Sequence, residues 1–504
     1  MSDYATPNIA PSQGVSTFSD LVNSLFADFL GPLVDAVETF LRAPTPASLL
    51  AFEEGAQKIL ARLGGHIVGR VVAALLEDPG FRSKAMEQAR AAASTKLRNH
   101  GWWLTSVRFL GGVLFSFRTP YVGPDRAGGP GSGRGVGRRT KGGGGLFPAL
   151  AALGIHDRAT PALASLTARL SVRCASFEEA SEALLEHGVE MDAKTVRRLA
   201  LHVGEEALRQ RDRRMDAARE GRPFTKEFAG KRIVISVDGG RVRLRERGKS
   251  GRKRKNGRRR YDTPWREPKI LTVYGIDKTG KKVRSFPPLL DGTLGDADAT
   301  FALLAAELVL RGAAEAELVI VTGDGAPWIW NRVDALAAAL GLLPEKVVRV
   351  ADFYHATEHL AAIAELVKSF DEAAKKTWFT RMRRRLRRGK VDQVIESAEK
   401  LRRGRNAKKI ATEIDYFRKR RESMRYDQFQ KRGIPLGSGA VESAVRRVVN
   451  LRLKGPAIFW RAPSAEAMLH MRAYLKAGRW SELVDRVIYR SPDGRRSQPL
   501  KVAA

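Results

Sequence analysis

Three carboxylates stand at positions where their side chains could hold metal ions. Asp238 ends the apolar run 233–237, and Asp324 follows a second apolar run, 318–323. Glu442 lies near the start of a predicted helix. Carboxylate oxygens are the ligands that Mg²⁺ and Mn²⁺ prefer, and two such ions about 3.5–4 Å apart can hold both oxygens of a phosphoryl transfer. The three acids therefore predict a site for two divalent ions, Mg²⁺ or Mn²⁺.

Each aspartate is followed by glycine, which leaves a simpler interpretation open. Asp238-Gly239 and Asp324-Gly325 are also ordinary turn dipeptides. A carboxylate at the end of a strand protrudes from the sheet edge, whereas one inside a buried strand would be costly. Because two acids follow separate buried strands and Glu442 is a third, the sequence favours chemistry over plain turns.

The charge of the chain indicates a polyanionic partner. The 504 residues include 89 Lys or Arg and 55 Asp or Glu, a formal net charge of +34. A genome rich in G and C would raise Arg evenly, but here the cations cluster. From Arg241 to Arg260, 12 of 20 residues are Lys or Arg, and a second run lies at 381–388. Nucleic acid is therefore a better partner than a membrane.

Cysteine content and hydropathy indicate a cytoplasmic protein. With the single cysteine Cys174, neither a disulfide framework nor a cysteine zinc site can form within one chain. The first residues lack the basic and apolar segments of a secretory signal. The most apolar stretch that we singled out, 104–117, is interrupted by Arg108, so we expect no membrane span.

The periodicity of apolar residues divides the chain into seven segments. We expect strands at 233–237, 270–275 and 283–289 that pair antiparallel, followed by a helix at 299–311, a strand at 318–322, a helix at 328–340 and a strand at 347–350. With acids at the strand ends, this is the layout of a ribonuclease-H-like core. The expected segments are a helical N-terminal region (1–117), a Gly/Arg-rich linker (118–146), a helix-turn-helix-like region (147–230), the first part of the core (231–355), an all-helical insertion (356–432), the glutamate-bearing part of the core (433–480) and a basic tail (481–504).

A helix-turn-helix is expected within 147–230. One helix would span 177–185, a turn 187–189, and a second helix 193–203 with Asp192 as its N-cap. Such a motif places polar and basic residues of its second helix against DNA. Similar helix pairs without DNA contacts are common in helical proteins, so both interpretations stay open. The candidate DNA contacts of this helix are Lys194, Thr195, Arg197 and Arg198.

Several motifs, taken in order, resemble the insertion-sequence DDE transposases of the Kra type, bacterial relatives of the Mutator-like superfamily. The motifs are Val237-Asp238-Gly239, Thr322-Gly323-Asp324-Gly325-Ala326-Pro327-Trp328-Ile329 and Gly437-Ser438-Gly439-Ala440-Val441-Glu442-Ser443. Asp352-Phe353-Tyr354-His355 resembles that superfamily's D-x-x-H signature, and Arg452-Leu453-Lys454-Gly455 with Trp460 is also similar. The resemblance covers about 147 to 480.

The resemblance implies a transposase with an α/β ribonuclease-H-like catalytic core, an all-helical insertion between the second aspartate and the glutamate, and helical N-terminal domains. Asp238, Asp324 and Glu442 would be the catalytic metal ligands. The enzyme would bind the terminal inverted repeats of its element as a homo-oligomer, hydrolyse phosphodiesters and join the freed 3′-hydroxyl to target DNA. It would work in the bacterial cytoplasm, at the nucleoid. The alternatives are an idle or domesticated DNA-binding protein, and a nuclease that cuts without joining.

His355 is a further catalytic candidate, which could contact the scissile region or orient a carboxylate of the metal site. The alternative is a structural histidine between the strand and the next helix. Residues 355–359 also match H-x-x-E-H, an inverted zinc-protease signature, but they directly follow a strand and Asp352.

DNA contacts are expected from the basic hairpin after Asp238, from the loop before Glu442 and from the segment after it. Ser438 could cap the glutamate helix beside a phosphate. Trp460 could stack on an unpaired base or belong to the core. The remaining candidates are Arg241, Arg243, Arg252, Lys253, Arg254, Lys255, Arg452 and Lys454.

Overall fold

The computed structural model describes residues 18–93, 95–124, 145–247 and 261–490. The chain divides into two compact units. Among the described residues, the first unit ends at His202 and the second begins at Val203.

The first unit combines helices with one β-hairpin. Its elements are α1 (Phe18–Arg42), α2 (Pro46–Glu77), α3 (Pro79–Ala91), β1 (Leu97–Arg108), β2 (Leu114–Pro124), α4 (Pro148–Ala152), α5 (Pro161–Arg173), α6 (Phe177–Glu186) and the beginning of α7 (Ala193–Ala218).

The hairpin contradicts the expectation of a purely helical region to residue 117 and of a linker from 118. β1 and β2 pair antiparallel, with Arg108 opposite Leu114. Their aromatic and β-branched residues suit a pleated surface better than a helix. Between them Gly111 and Gly112 both have positive φ, a conformation open to glycine, and this turn closes the hairpin. Of the expected linker, 125–144 lies outside the described residues.

One described helix, α2, is long and apolar enough to cross a membrane by length and composition alone, with a mean hydropathy of 1.6 in its most apolar window. The sequence argument had considered only the stretch 104–117, which forms the hairpin. A single helix of this kind is weak evidence and carries no conclusion about a membrane.

The helix pair expected near residue 190 is present. α6 ends at Glu186, and Gly188 with its positive φ makes the turn. Asp192 accepts hydrogen bonds from the backbone N–H groups of Lys194 (2.9 Å) and Thr195 (3.1 Å), so it caps α7 as expected. α7 continues to Ala218 rather than ending at 203. A shared core joins α5, α6 and the start of α7, and it includes Leu163, Leu170, Ala180, Leu184, Val196 and Leu199.

The second unit is built on a mixed five-stranded sheet. Its strands are β3 (Arg232–Gly239), β4 (Val242–Arg243), β5 (Glu246–Arg247), β6 (Tyr261–Asp262), β7 (Trp265–Arg266), β8 (Lys269–Ile276), β9 (Leu289–Thr293), β10 (Leu318–Gly323) and β11 (Val347–Ala351). The order in the main sheet is β11-β10-β3-β8-β9. β3, β8 and β9 pair antiparallel, whereas β10 is parallel to both β3 and β11.

The third strand begins later than the sequence predicted. β9 starts at Leu289, the residue at which the expected strand 283–289 ends. Pro287 and Pro288 precede it, and proline has no N–H for a sheet ladder. Phe286 instead donates its N–H to the carbonyl of Val283 (3.2 Å), closing a turn.

Eleven further helices are described in this unit: α8 (Ala297–Leu310), α9 (Pro327–Trp330), α10 (Val333–Ala339), α11 (Phe353–Leu366), α12 (Glu372–Arg387), α13 (Val391–Glu399), α14 (Ala407–Lys419), α15 (Tyr426–Lys431), α16 (Gly439–Val445), α17 (Ala462–Ala477) and α18 (Trp480–Tyr489). The expected helix 328–340 is divided into α9 and α10. The expected basic tail from 481 is wrong up to residue 490, because α18 packs on α17. Residues 491–504 lie outside the described part of the chain.

The sheet is covered by helices on both faces. Ile233, Ile235 and Val237 of β3 belong to the core cluster that contains α8. Val234 faces the opposite side, in the cluster that contains α11 to α15. Successive strand residues alternate between faces, so Asp238 lies on the same face as Val234, the face covered by the helical insertion.

Buried ion pairs join α7, α8 and α18. The carboxylate of Glu307 accepts from both Arg214 (2.8 Å) and Arg311 (3.0 Å), and these three side chains are almost fully buried. Glu482 of α18 accepts from Arg311 (2.5 Å) and from Arg479 (2.9 Å). Burial by itself would raise the pKa of Glu482, but the surrounding arginines outweigh it and lower the pKa to about 2. These pairs anchor the end of the described chain to the helices that support the sheet.

Replacing one partner of this network should destabilise the second unit. In Glu307→Gln, Arg214 and Arg311 lose a buried counter-charge, and we expect the free energy of unfolding to fall by about 3–5 kcal/mol in urea denaturation. Because the folded-state pKa of Glu482 is lowered, its stabilisation is present above about pH 4.5 and is lost as the pH falls towards 2. As a control, Glu372→Gln at an exposed pair with Lys375 should leave the midpoint nearly unchanged. Equal midpoints for the two variants would contradict this role.

Candidate active site

Asp238 occupies the next-to-last position of β3, at the carboxyl end of the central strand. It pairs with Ile270 of β8, and its carboxylate accepts a hydrogen bond from the N–H of Gly239 (2.7 Å). Next to it along the same face, the hydroxyls of Ser236 and Thr322 are 2.5 Å apart and link β3 to β10. Asp238 is thus half-buried at a sheet edge that these polar contacts hold together.

The other two acids expected from the sequence, Asp324 and Glu442, lie close enough to Asp238 to repel its carboxylate. Burial is the largest influence on this carboxyl and raises its pKa; the hydrogen bond from Gly239 opposes the rise. Repulsion by Asp324, Glu442 and Glu267 raises the pKa further. The acids come from three elements that are far apart in sequence, so the fold has assembled a cluster of negative charge at this sheet edge.

Glu267 is a neighbour of Asp238 that the sequence argument missed. It lies two residues before the start of β8, and its carboxylate is 3.4 Å from the ammonium of Lys269. A Cβ built on Gly239 would lie 2.0 Å from an oxygen of Glu267, so a larger residue at 239 would displace the end of this side chain. The signal available in the sequence was only an acid near a predicted strand start, which is too common to be informative.

Asp324 is held by contacts from the helical insertion. It follows β10, and its carboxylate accepts from the N–H of Ala326 (2.8 Å). The hydroxyl of Tyr416 donates to the carbonyl of Asp324 (3.1 Å), and the guanidinium of Arg420 donates to the carbonyl of Gly325 (2.9 Å). Gly325 has a φ of +89°, and a Cβ there would overlap Arg420. The insertion therefore fixes the loop that carries the second aspartate.

Glu442 lies on α16, which packs on β3 and β8. The expectation that Ser438 caps this helix is wrong, because its side chain makes no capping hydrogen bond. Ser438 is buried, and both its N–H (2.5 Å) and its hydroxyl donate to the carboxylate of Asp352. Ser438 is therefore committed to Asp352 and is not placed for the expected phosphate contact.

Asp352 connects the elements that carry the acids. Its own N–H donates to the carbonyl of Gly323, the residue before Asp324 (2.8 Å). Its carboxylate, which is almost fully buried, caps α11 by accepting from the N–H of Tyr354 (2.6 Å) and also binds Ser438, four residues before Glu442. The sequence singled out Asp352 only as part of a motif and gave no sign of this connection.

His355 stands in the first turn of α11, with its Nδ1 3.0 Å from the carboxylate of Glu358. One turn on, His359 has its Nδ1 2.5 Å from Glu413, and its ring stacks on Tyr416 at 3.7 Å. Burial lowers the pKa of His359, and the carboxylate of Glu413 opposes that shift. The two histidines thus have separate carboxylate partners, which does not match a zinc site shared between them.

The three acids supply the type of ligand that a hard divalent cation prefers, although they are not gathered closely around one point. Asp238, Asp324 and Glu442 supply oxygen ligands only, the kind that Mg²⁺ and Mn²⁺ prefer. Burial is the main cause of the raised pKa of Asp238, and the repulsion by Asp324 and Glu442 that adds to it is what a bound cation would relieve. Within the part of the chain that the structure describes, no group of three or more His, Cys, Asp or Glu side chains is compact enough to hold one ion. The two ions therefore stay a prediction.

The candidate DNA contacts near the site fall into different environments. Arg241 and Lys454 are exposed, and the guanidinium of Arg243 lies over the ring of Trp265. Trp460 is buried, and its indole N–H donates to the carbonyl of Leu453 (3.2 Å). Arg452 is also buried, with its guanidinium over the Trp460 ring. Trp460 and Arg452 are therefore core residues in this structure. For Trp460 this is the alternative that the sequence had left open, and for Arg452 it is contrary to the expected DNA contact.

Of the remaining candidates, Arg252, Lys253, Arg254 and Lys255 lie outside the described residues. In α7 of the first unit, Lys194 and Arg197 are exposed. Thr195 uses its hydroxyl to donate to Asp192 (2.7 Å), and Arg198 forms an ion pair with Asp157.

Comparison with protein-family models, with curated proteins and with solved structures gave no match to this chain. Arguments about function therefore rest on the residues and their geometry.

Removing the charge of Asp238 should stabilise the metal-free protein. Because the folded-state pKa of Asp238 is raised, the wild type loses stability as the pH rises through that pKa, and Asp238→Asn should not. At neutral pH in a chelating buffer we expect a gain of about 0.5–2 kcal/mol, the range that charge optimisation commonly gives. Denaturation at several pH values measures it. The control Asp334→Asn alters an exposed pair with Arg349, and a gain that is independent of pH or equal in both variants would refute the charge cluster.

Asp352→Asn should loosen α16 relative to the sheet. An amide cannot accept from all of the donors around Asp352, so we expect a loss of about 1–3 kcal/mol in stability and faster hydrogen exchange at the Ser438 amide. The control is Asp371→Asn, which changes the exposed N-cap of α12; asparagine caps as well as aspartate, so little change is expected there. Unchanged exchange at Ser438 in the Asp352 variant would show that Asp352 does not anchor the helix.

Proposed function

We propose that this protein is a DNA transposase of the DDE type, similar to the Kra-type insertion-sequence enzymes, with a ribonuclease-H-like catalytic core. It would bind the terminal inverted repeats of its element, hydrolyse phosphodiesters with two Mg²⁺ or Mn²⁺ ions, and transfer the freed strand to target DNA. The observation that carries the proposal is that Asp238 and Asp324 lie at the carboxyl ends of the adjacent parallel strands β3 and β10, with the helix of Glu442 packed on β3.

The topology of the sheet supports the proposed core. Three strands that are consecutive in the main sheet, β3, β8 and β9, pair antiparallel, and β10 and β11 then add parallel on the other side of β3. The first strand is thereby central, and the next acid-bearing strand end is its direct neighbour. The segment between β11 and α16 is helical throughout its regular elements, as the proposed insertion requires.

The charge of the chain supports DNA as the substrate. A duplex carries one negative charge per roughly 1.7 Å of its axis, and cations near the acids would compensate the repulsion between carboxylates and phosphates. The basic hairpin begins three residues after Asp238 with exposed Arg241. The helix pair α6–α7 in the first unit, with exposed Lys194 and Arg197, is proposed to recognise the element ends.

In the proposed reaction, the chain's own residues hold the ions and the strand ends. Asp238, Asp324 and Glu442 would be the ligands. Bound divalent ions would supply an activated water and stabilise the charge of the transferring phosphate. Asp352 acts as a positioning residue through Ser438, and Tyr416 and Arg420 position the Asp324 loop. His355, in the turn that Asp352 caps, is proposed to contact the scissile region.

Neutralising any of the three acids should abolish catalysis and spare DNA binding. For Asp238→Asn, Asp324→Asn and Glu442→Gln we expect at least about a 10³-fold loss of Mg²⁺-dependent cleavage. The assay uses a plasmid that carries the DNA flanking the coding sequence and scores both cutting and joining. Asp334→Asn, at an exposed pair with Arg349, serves as the matched control and should cleave normally.

A second readout separates metal binding from activity. Mn²⁺ should raise the thermal midpoint of the wild type, because a ligand that binds only the folded state stabilises it, and it should raise that of the three variants much less. Full cleavage by any one of these variants would refute the site. Cleavage without joining would favour a nuclease over a transposase.

A further inference from the structure

A short arm lies next to the three acids and is firmly fixed at its base. We define the arm as residues 242–247 and 261–266, which form the pairs β4–β7 and β5–β6. At the base, the N–H of Trp460 donates to the carbonyl of Arg243 (3.0 Å), and the N–H of Arg245 donates to the carbonyl of Trp460 (2.6 Å). Since Trp460 is buried, the arm is attached to the core of the unit.

The arm presents aromatic rings paired with guanidinium groups. Arg243 faces Trp265 across the strand pair, with its guanidinium carbon 4.7 Å from the ring centre. The guanidinium of Arg245 lies 4.0 Å from the ring centre of Tyr261, whose ring is 5.4 Å from that of Phe459. Although it is stacked in this way, Trp265 remains 46% exposed, and Arg245 is exposed as well.

Large exposed aromatics are costly unless they have a partner. Cation–π contacts by themselves would stabilise the hairpin, and burial of Trp265 in the core would have done so more effectively. Aromatic faces beside cations on a groove wall are instead the arrangement that binds unpaired bases, since every base has a π-face and its phosphate needs a counter-charge. A membrane or an apolar peptide would not call for the 12 cations present between Arg241 and Arg260.

The arm lies within reach of the acids. Trp265 is five residues from Ile270, the residue that pairs with Asp238. At about 3.3 Å per residue, the backbone of Trp265 and that of Ile270 are at most roughly 17 Å apart, less than one turn of a DNA duplex. A strand that places a phosphate at Asp238 could therefore place a base a few nucleotides away on Trp265.

We propose that Trp265, with Arg243 and Arg245, forms a stacking site for an unpaired base of a DNA strand bound at the three acids. The sequence suggested a stacking role for Trp460. We assign that role instead to Trp265, an exposed residue of the arm that Trp460 supports. The inference rests on the proposed function for the identity of the strand, but the stacking chemistry is independent of catalysis.

The test is equilibrium binding of fluorescein-labelled oligo(dT), twelve nucleotides long, to the full-length protein in EDTA, followed by fluorescence anisotropy. Trp265→Ala should weaken binding about fivefold or more, because stacking on one aromatic side chain is worth that much. Trp265→Phe keeps a stacking face and should retain most of the affinity. The matched control is Trp102→Ala in the first unit, where Trp102 is 49% exposed and also has a guanidinium, that of Arg82, over its ring.

Duplex and RNA probes define the outcome. A duplex of equal length should be much less sensitive to Trp265→Ala, and oligo(U) tests whether the site selects DNA over RNA. Equal affinity of Trp265→Ala and wild type for oligo(dT), or an equal loss in Trp102→Ala, would overturn the proposal. A loss in Trp265→Ala that Trp265→Phe does not restore would do so too. If cleavage fails altogether while Trp265→Ala still loses binding, the proposed function is wrong and the stacking site stands.

Discussion

The hydrogen bonds between Asp352 and Ser438 are the constraint on which the arrangement of the acids depends. Glu442 stands on a short helix, Gly439–Val445, which continues as a π-helical segment to Asn450, and a helix of this length is at best marginal in water without tertiary contacts. Asp352 holds the start of that helix and, through its own N–H, also holds the strand end that precedes Asp324. Because the carboxylate is buried, its hydrogen bonds are unscreened by water, so losing one is costly. The distance between Asp324 and Glu442, two of the proposed metal ligands, is thus set by Asp352, which is not itself a proposed ligand.

The helical insertion makes the second connection. Tyr416 and Arg420 reach the carbonyls of Asp324 and Gly325 from the end of α14, so the insertion holds the loop of Asp324 as well as covering one face of the sheet. A substrate or partner that moved α14 would alter the position of Asp324 directly. The helical insertion therefore has a physical role at the site, in addition to any surface that it offers to DNA.

How much of the structure could be predicted from the sequence depends on how far apart along the chain the interacting residues are. The strands β3, β8, β10 and β11 were predicted because continuous apolar runs report burial directly. The hairpin β1–β2 was missed, since an apolar stretch does not by itself distinguish a helix from strands. The burial of Trp460 and Arg452 and the bond from Asp352 to Ser438 depend on which distant segments meet. Those facts belong to the tertiary structure, so residue type alone could not decide between a base and the core for Trp460 and did not give the partner of Ser438.

The carboxylates of the second unit lie in two opposite electrostatic environments, and the contrast bears on function. Glu307 and Glu482 lie among arginines, which lower their pKa values and keep them charged although buried. Asp238 has acids among the groups that raise its pKa, in a chain with a large excess of cations. At the end of β3, by contrast, Asp324 and Glu442 add repulsion to the burial of Asp238. Such repulsion costs stability, and it is the form of strain that sites for external cations carry. A divalent cation held by these three acids would relieve it, which is the physical ground for proposing a metal centre there.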